Sequence, residues 1–391
     1  MQTEIGPDNV TYNHDSHIVK KPRFARYKSL TAWRGIACLS IVIFHSLFNG
    51  DLSIIPESKA TIVLVEVLRR FWIGVPIFFV ISGYCVIASA DRLRHDRGAA
   101  KQFFWRRFWR IYPPYWFWLA LAGLTVYIVE TFIQPGFFRW GMISNPSGLT
   151  LWQWIGNLTL TETWRSNFTL GVQWMWLAPA WTLAYEEQFY AVVGLVLIMA
   201  RHFFFQALAL VTLIVIVGTV YPFWGPKANG TFLDGKWIMF ASGTLVYYIV
   251  NYVTPRRQFW LCLLLWFGVL SAFADPRQLL NSSVDEPNQM YLAAFGFALL
   301  AIFLQRWDQE LTNCPLLRPF FYCGEMCYSI YLVHWPVTLV AGGIFKLLGV
   351  NGTARILLIG LPGSIAITVG AARIFHVLIE RRFWNSTTES V

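Results

Sequence analysis

The stretch Arg34–His45 reads RGIACLSIVIFH and sits inside LTAWRGIACLSIVIFHSLFNG at 30–50, a run apolar enough to lie in a lipid bilayer that nevertheless carries an arginine and a histidine. A hydrocarbon core of ~30 Å takes about 20 mainly apolar residues of α-helix. Outward from this run, nine further segments qualify or nearly qualify, at 71–90, 111–133, 182–200, 203–221, 236–253, 258–274, 289–306, 326–348 and 354–379. Of the 391 residues, 56% are apolar and only 13% charged, and the mean hydropathy is positive. That balance excludes an ordinary soluble globular enzyme. A transmembrane barrel is excluded as well, because runs such as AVVGLVLIMA and LALVTLIVIVGTV do not alternate as barrel strands must. The expected fold is all-α: a polytopic transmembrane helix bundle of about ten spans.

Basic residues stay on the cytoplasmic side of a membrane, so their distribution sets orientation. Placing the amino terminus inside puts 19 of the 31 Lys and Arg residues in cytoplasmic segments, with Lys20, Lys21, Arg23, Arg26 and Lys28 before the first span and Arg92 to Arg110 between the second and third. Both termini are then expected in the cytoplasm. Residues 1–28 read as a polar basic tail, 29–380 as one transmembrane domain and 381–391 as a short tail. The net charge of +10 accounts for topology and contact with anionic lipid rather than nucleic-acid binding. Six cysteines without paired spacing predict neither a structural disulfide nor a zinc site. Seven tryptophans fall in the outer stretch 134–181, where an interfacial aromatic belt explains most of them and a stacking platform for a sugar ring suits one or two.

Ionisable residues within spans cost roughly 2.5–3.5 kcal/mol each on insertion scales, so those present are functional candidates. Arg34 and His45 are 11 residues apart, which on an α-helix is ~1,100° and ~16 Å of rise. Both side chains therefore project from one face at different depths. Arg34 alone reads as a cation snorkelling to lipid phosphates, and His45 alone as a histidine bonded to a nearby carbonyl; the shared face favours function. In KQFFWRRFWRIYPPYW, Arg107 and Arg110 are spaced i, i+3 and suit bidentate phosphate contacts, with lipid anchoring as the plain alternative. In WTLAYEEQFY, Glu186 is expected to face the bundle and orient an imidazole, and Glu187 to face water. His334 in CYSIYLVHWPV stands beside Pro336, which frees a backbone carbonyl.

With these motifs in order, the chain resembles the membrane-bound acyltransferase family three. The resemblance rests on the Arg, ten residues, His pattern of RGIACLSIVIFH, on FFVISGY at 78–84, on RFWRIYPPYW at 107–116 and on WTLAYEEQFY at 181–190, joined late in the chain by YSIYLVHWPV and HVLIERRFW. It departs slightly at Tyr84, where Phe is frequent. What the resemblance implies is transfer of an acyl group, usually acetyl, from cytosolic acyl-coenzyme A to a hydroxyl of a glycan or lipid-linked glycan acceptor, in a bacterial inner membrane. It implies Arg34, Arg107 and Arg110 at the coenzyme and His45 as the catalytic histidine, with Glu186 assisting and Trp181, Tyr331 and His334 near the acceptor. No metal is expected. A rival of another class is a proton-coupled transporter or flippase with His45, Glu186 and His334 in a proton path, and a third is a scaffold without chemistry.

Overall fold

A computed structural model describes residues 27–48, 58–133, 136, 146–169, 172–221, 225–272 and 287–383. Residues 1–26 of the expected tail 1–28, residues 384–391 of the expected tail 381–391, and Trp140 of the outer stretch lie outside the described residues. The helices, in order, are α1 Leu30–Phe48, α2 Lys59–Arg69, α3 Gly74–Leu93, α4 Ala99–Ile128, α5 Leu151–Leu158, α6 Glu162–Arg165, α7 Trp181–Met199 and α8 Phe204–Val220. They are followed by α9 Trp237–Tyr252, α10 Pro255–Ala272, α11 Pro287–Leu304, α12 Asp308–Asn313, α13 Arg318–Glu325, α14 Cys327–Leu347 and α15 Leu361–Phe375. The last of these runs on as a π-helix over His376–Glu380. No strand occurs among the described residues.

Each of the ten expected spans contains a helix, and among the described residues eight helical stretches are long and apolar enough to cross a membrane. The two short of that length or hydropathy are α9, with 16 residues, and α10, whose first turn holds Arg256 and Arg257. Two span starts differ from the sequence reading. The second begins at Lys59 rather than residue 71, because one 3-10 turn at Arg70–Ile73 joins α2 to α3 in a single run. Arg69 and Arg70 therefore lie in a helix and not in a loop; Ile62, Val63, Leu64 and Val67 are exposed on α2, and Arg69 pairs with Glu66 at 3.6 Å. The third begins at Ala99, just after Gly98 turns the chain at φ +78°, so Arg107 and Arg110 lie well inside a 30-residue helix.

The arrangement centres on α1, which packs against α3, α13, α14 and α15. Its start is fixed outside the span: the buried Tyr27 donates to Ala301 O at 2.7 Å, and Asp308 accepts from Lys28 N at 3.0 Å and Ser29 N at 2.7 Å. Without water to compensate a loose fit, helices in lipid associate by close backbone approach at small residues. Here that approach occurs at two reciprocal glycine crossings. A Cβ on Gly35 would fall 1.9 Å from Phe320 O and one on Gly324 1.9 Å from Thr31 O; a Cβ on Gly83 would fall 2.1 Å from Phe240 O and one on Gly243 1.9 Å from Val80 O.

The proline pair Pro113–Pro114 removes two amide donors from α4. Just there, the helix is pinned sideways to the segment at the end of α5: Tyr115 Oη donates to Asn157 O at 2.9 Å and Trp116 Nε1 to Leu158 O at 2.9 Å. That segment is rigid because Arg165 grips Glu162 through Nε at 2.9 Å and Nη2 at 3.1 Å, both residues being buried, and Glu162 also accepts from Trp174 N at 2.8 Å. Expected in an outer loop, Arg165 is thus part of a dry ion pair.

The glycine crossings make a direct prediction. Gly83→Ala forces a methyl into the Phe240 carbonyl and should lower the thermal midpoint of the detergent-solubilised protein, at a cost of about 1–3 kcal/mol. Gly296→Ala, with no atom within 4 Å of the added Cβ, should leave the midpoint unchanged or raise it, as differential scanning fluorimetry can read.

Candidate active site

A cavity of about 1300 Å³ runs through the bundle between α1, α3, α4, α7, α14 and α15. It is large for a small-molecule pocket, which typically measures 300–1,000 Å³. All eight residues singled out from sequence line it: Arg34, His45, Arg107, Arg110, Trp181, Glu186, Tyr331 and His334. At the α1 start it is lined by Lys28, Arg373 and Arg381, and at the α1 end by His45, His334 and Trp335. The cavity therefore has a basic end and a histidine end, separated along the axis of α1.

At the histidine end, α1 and α14 run in parallel, which sets His45 opposite His334. Their ring centroids are 5.1 Å apart with the planes tilted at 40°, and the indole of Trp335 meets His45 edge-on at 4.6 Å. His334 is 1% exposed. Its Nδ1 lies 2.5 Å from Tyr331 O, and because a carbonyl only accepts, Nδ1 carries the proton of the neutral ring. The Tyr331 hydroxyl in turn donates to Pro179 O and accepts from Thr182 Oγ1 at 3.0 Å, tying α14 to the turn that starts α7. Trp181, at the head of α7, stands edge-on to both Phe79 and Tyr185. Of the described outer tryptophans it alone lines the cavity, whereas Trp152 and Trp174 are exposed and Trp176 is buried against Trp154.

In the middle, Glu186 accepts from Ser82 Oγ at 2.8 Å and from Tyr190 Oη, and is close enough to Arg34 for their charges to interact. Neither of these bonds is to His45, the imidazole that the sequence reading expected the carboxylate to orient. Ser82 and Tyr190 lie on α3 and α7, so the carboxylate ties those two helices together. Glu187 differs as well: instead of facing water it is half-buried, its Oε2 accepting from Tyr112 Oη at 3.3 Å on α4. The turn of 100° between neighbours is there, but both directions lead into protein.

Toward the basic end, Arg34 donates from Nη2 to Cys85 Sγ at 3.0 Å, and Arg107 lies over the rings of Tyr190 at 5.0 Å and Phe103 at 5.6 Å. Lys28, Arg34, Arg107, Arg110, Arg373 and Arg381 all line the cavity, and among the described residues none of the six forms an ion pair with a carboxylate. Unpaired cations converging on a cavity make an anion site, and guanidinium forks suit phosphate oxygens. Several cavity residues were not identified from sequence. Ser82 and Tyr190 are ordinary side chains in apolar helices until the fold joins them to Glu186. His376, bonded through Nδ1 to Glu380 Oε2 at 2.8 Å, and Ser329, donating to the same carboxylate, sit in the noted HVLIERRFW and YSIYLVHWPV motifs without an assigned role. Arg373, within the last span, lines the cavity as well and is exposed over the Tyr322 ring.

All six cysteines are free thiols, and Cys38, Cys85 and Cys327 line the cavity. Among the described residues no group of three or more His, Cys, Asp or Glu side chains is gathered that could hold a metal ion.

Residues 27–373 match the family model described as an acyltransferase domain. A protein of Komagataeibacter xylinus named as a membrane-bound transacylase, BcsY, is 24% identical over 368 residues, or 91% of this chain and 82% of that protein. Peptidoglycan O-acetyltransferase OatA of Listeria monocytogenes is 22% identical over 336 residues, 79% of this chain and 49% of that protein. Acyltransferase MdmB of Streptomyces mycarofaciens is 26% identical over 169 residues, 43% of this chain and 38% of that protein. The chain thus spans about half or less of the length of the last two. No solved structure matches it.

The tie between α14 and the α7 turn generates a stability prediction. Tyr331→Phe removes the hydroxyl that bridges Pro179 O and Thr182 and should cost about 1 kcal/mol, seen as a fall of the thermal midpoint in detergent with unchanged helical circular dichroism.

Proposed function

We propose that this chain, which belongs to the acyltransferase family, moves an acyl group, most simply acetyl, from cytosolic acyl-coenzyme A to a hydroxyl of a glycan acceptor at or across a bacterial inner membrane. One observation carries the reading: a single cavity lined by six basic side chains, none in a close ion pair among the described residues, ends at two facing histidines. The donor is long, with several phosphates on a nucleotide end and a thioester at the tip of a flexible arm. Arg34, Arg107 and Arg110 hold the phosphates near the cytoplasmic face, and the arm extends along the α1 face toward His45. With that orientation both termini are cytoplasmic, and the domain comprises residues 29–380.

The reaction then places its groups as follows. The acceptor, seated beside Trp181 and Tyr331, presents a hydroxyl to the thioester carbonyl. His45 takes the hydroxyl proton as the oxygen–carbon bond forms; the carbon–sulfur bond breaks and the coenzyme thiolate leaves, to be protonated in its turn. Glu186, held by Ser82 and Tyr190, acts from mid-cavity as the counter-charge of Arg34 and keeps the arginine facing the donor path. Apolar walls at the histidine end, Phe44, Val75, Phe78 and Trp335, keep water from competing for the thioester.

Membranes supplied with labelled acetyl-coenzyme A and an envelope glycan fraction should transfer label. His45→Ala should reduce transfer by at least ~100-fold, the scale of a lost general base. Paired Arg107→Ala and Arg110→Ala changes should raise the donor KM by ~10-fold or more with a smaller change in kcat. Transfer that survives in the His45→Ala protein refutes the catalytic assignment. Mass spectrometry of surface glycans from a deletion strain should show loss of one acetyl group per modified unit, and loss of a heavier acyl mass would refute acetyl while keeping acyl transfer.

A further inference from the structure

The carboxylate expected to serve His45 is occupied elsewhere, on Ser82 and Tyr190. What the fold sets against His45 is a second imidazole. His334 is almost fully enclosed, and the bond from Nδ1–H to Tyr331 O fixes both its tautomer and its ring orientation. Its Nε2 consequently presents a lone pair and no proton. This atom is buried, has no hydrogen-bond partner among the described residues, and belongs to a side chain lining the cavity 5.1 Å, ring to ring, from His45. A buried acceptor without a donor is costly and rare in a folded protein. It is well placed for a donor whose positive charge appears only at one stage of a reaction.

We propose that His334 is the positioning partner of His45, its fixed Nε2 accepting a hydrogen bond from the His45 imidazolium formed when the acceptor hydroxyl gives up its proton. The inference rests on the acyl-transfer reading above and adds to it a neutral partner where a hydrolytic triad uses a carboxylate. The balance is unchanged by His334: the acceptor oxygen–carbon bond forms, the thioester carbon–sulfur bond breaks, the proton moves from hydroxyl to His45 and then to the departing thiolate, and His334 accepts a bond without changing its own proton count. A neutral partner also explains the arrangement around it. The rings beside His334 are those of His45 from α1 and Tyr331 from its own helix, and neither is an acid. No fixed negative charge has to be enclosed there beside the thioester.

The experiment uses the full chain in detergent or native membranes, with acetyl-coenzyme A as donor and the envelope glycan fraction of a deletion strain as acceptor. His334→Ala should lower kcat by at least ~10-fold and leave the KM of both substrates within about twofold, since the lost interaction gains its full strength only once His45 is charged. His334→Gln, whose amide oxygen can accept the same bond, should recover most of kcat. Thermal midpoints of both variants confirm that they are folded, and His334→Gln carries the test should His334→Ala fail to fold. A His334→Ala protein that keeps its kcat, or one in which only the acceptor KM rises, overturns the proposal while leaving acyl transfer standing; so does a folded His334→Gln protein no better than His334→Ala. Absence of transfer in the unaltered protein, by contrast, would remove the acyl-transfer reading itself and this inference with it.

Discussion

A guanidinium one turn inside a bilayer must reach water or be surrounded by polar groups, and the bundle is organised around meeting that demand for Arg34. α1 sits at the centre of the packing rather than at the lipid-facing rim. Around it Cys85, Glu186 and Cys327 supply polarity, and the cavity supplies access. The glycine crossings at Gly35–Gly324 and Gly83–Gly243 are the geometric condition for this: they draw α13 onto α1 and α9 onto α3, so that short polar side chains on neighbouring helices come within reach of one another. Remove the close approach and the polar groups would be left facing lipid singly.

The same economy governs Arg107. Its side chain lies over two aromatic rings, one of which, Tyr190, bonds Glu186. A cation stacked in this way keeps its N–H groups available, because the ring faces satisfy charge without consuming donors. Arginine, aromatic ring and carboxylate thus form one connected unit across α4 and α7.

Much of this was legible in the sequence, for identifiable reasons. The apolar runs are long, so helix existence follows from length alone, and the eleven-residue interval in α1 fixes the common face of Arg34 and His45 whatever the rest of the fold does. Helix ends were less legible. The starts at Lys59 and Ala99 depend on helix continuing through charged residues, which hydropathy counts as loop. Partnerships between helices were not legible at all: that Glu186 bonds Ser82 rather than attending His45 is decided by the relative depth of α1, α3 and α7, and one chain read in isolation carries no record of depth to a single turn. The family pattern supplied the names of the residues, and only the packing supplied their neighbours.

The surplus of positive charge along the cavity bears on the cell rather than on the reaction. A polar channel of this size inside a membrane domain shortens the insulating layer that holds the transmembrane potential, and two imidazoles within it would be stations for proton leakage. Yet its lining carries six Lys and Arg side chains against three carboxylates, Glu186, Glu325 and Glu380. Fixed positive charge in a narrow low-dielectric passage repels protons and metal cations, as it does in selective pores. The same six side chains that would draw an anion into the cavity thus oppose the entry of protons and metal cations.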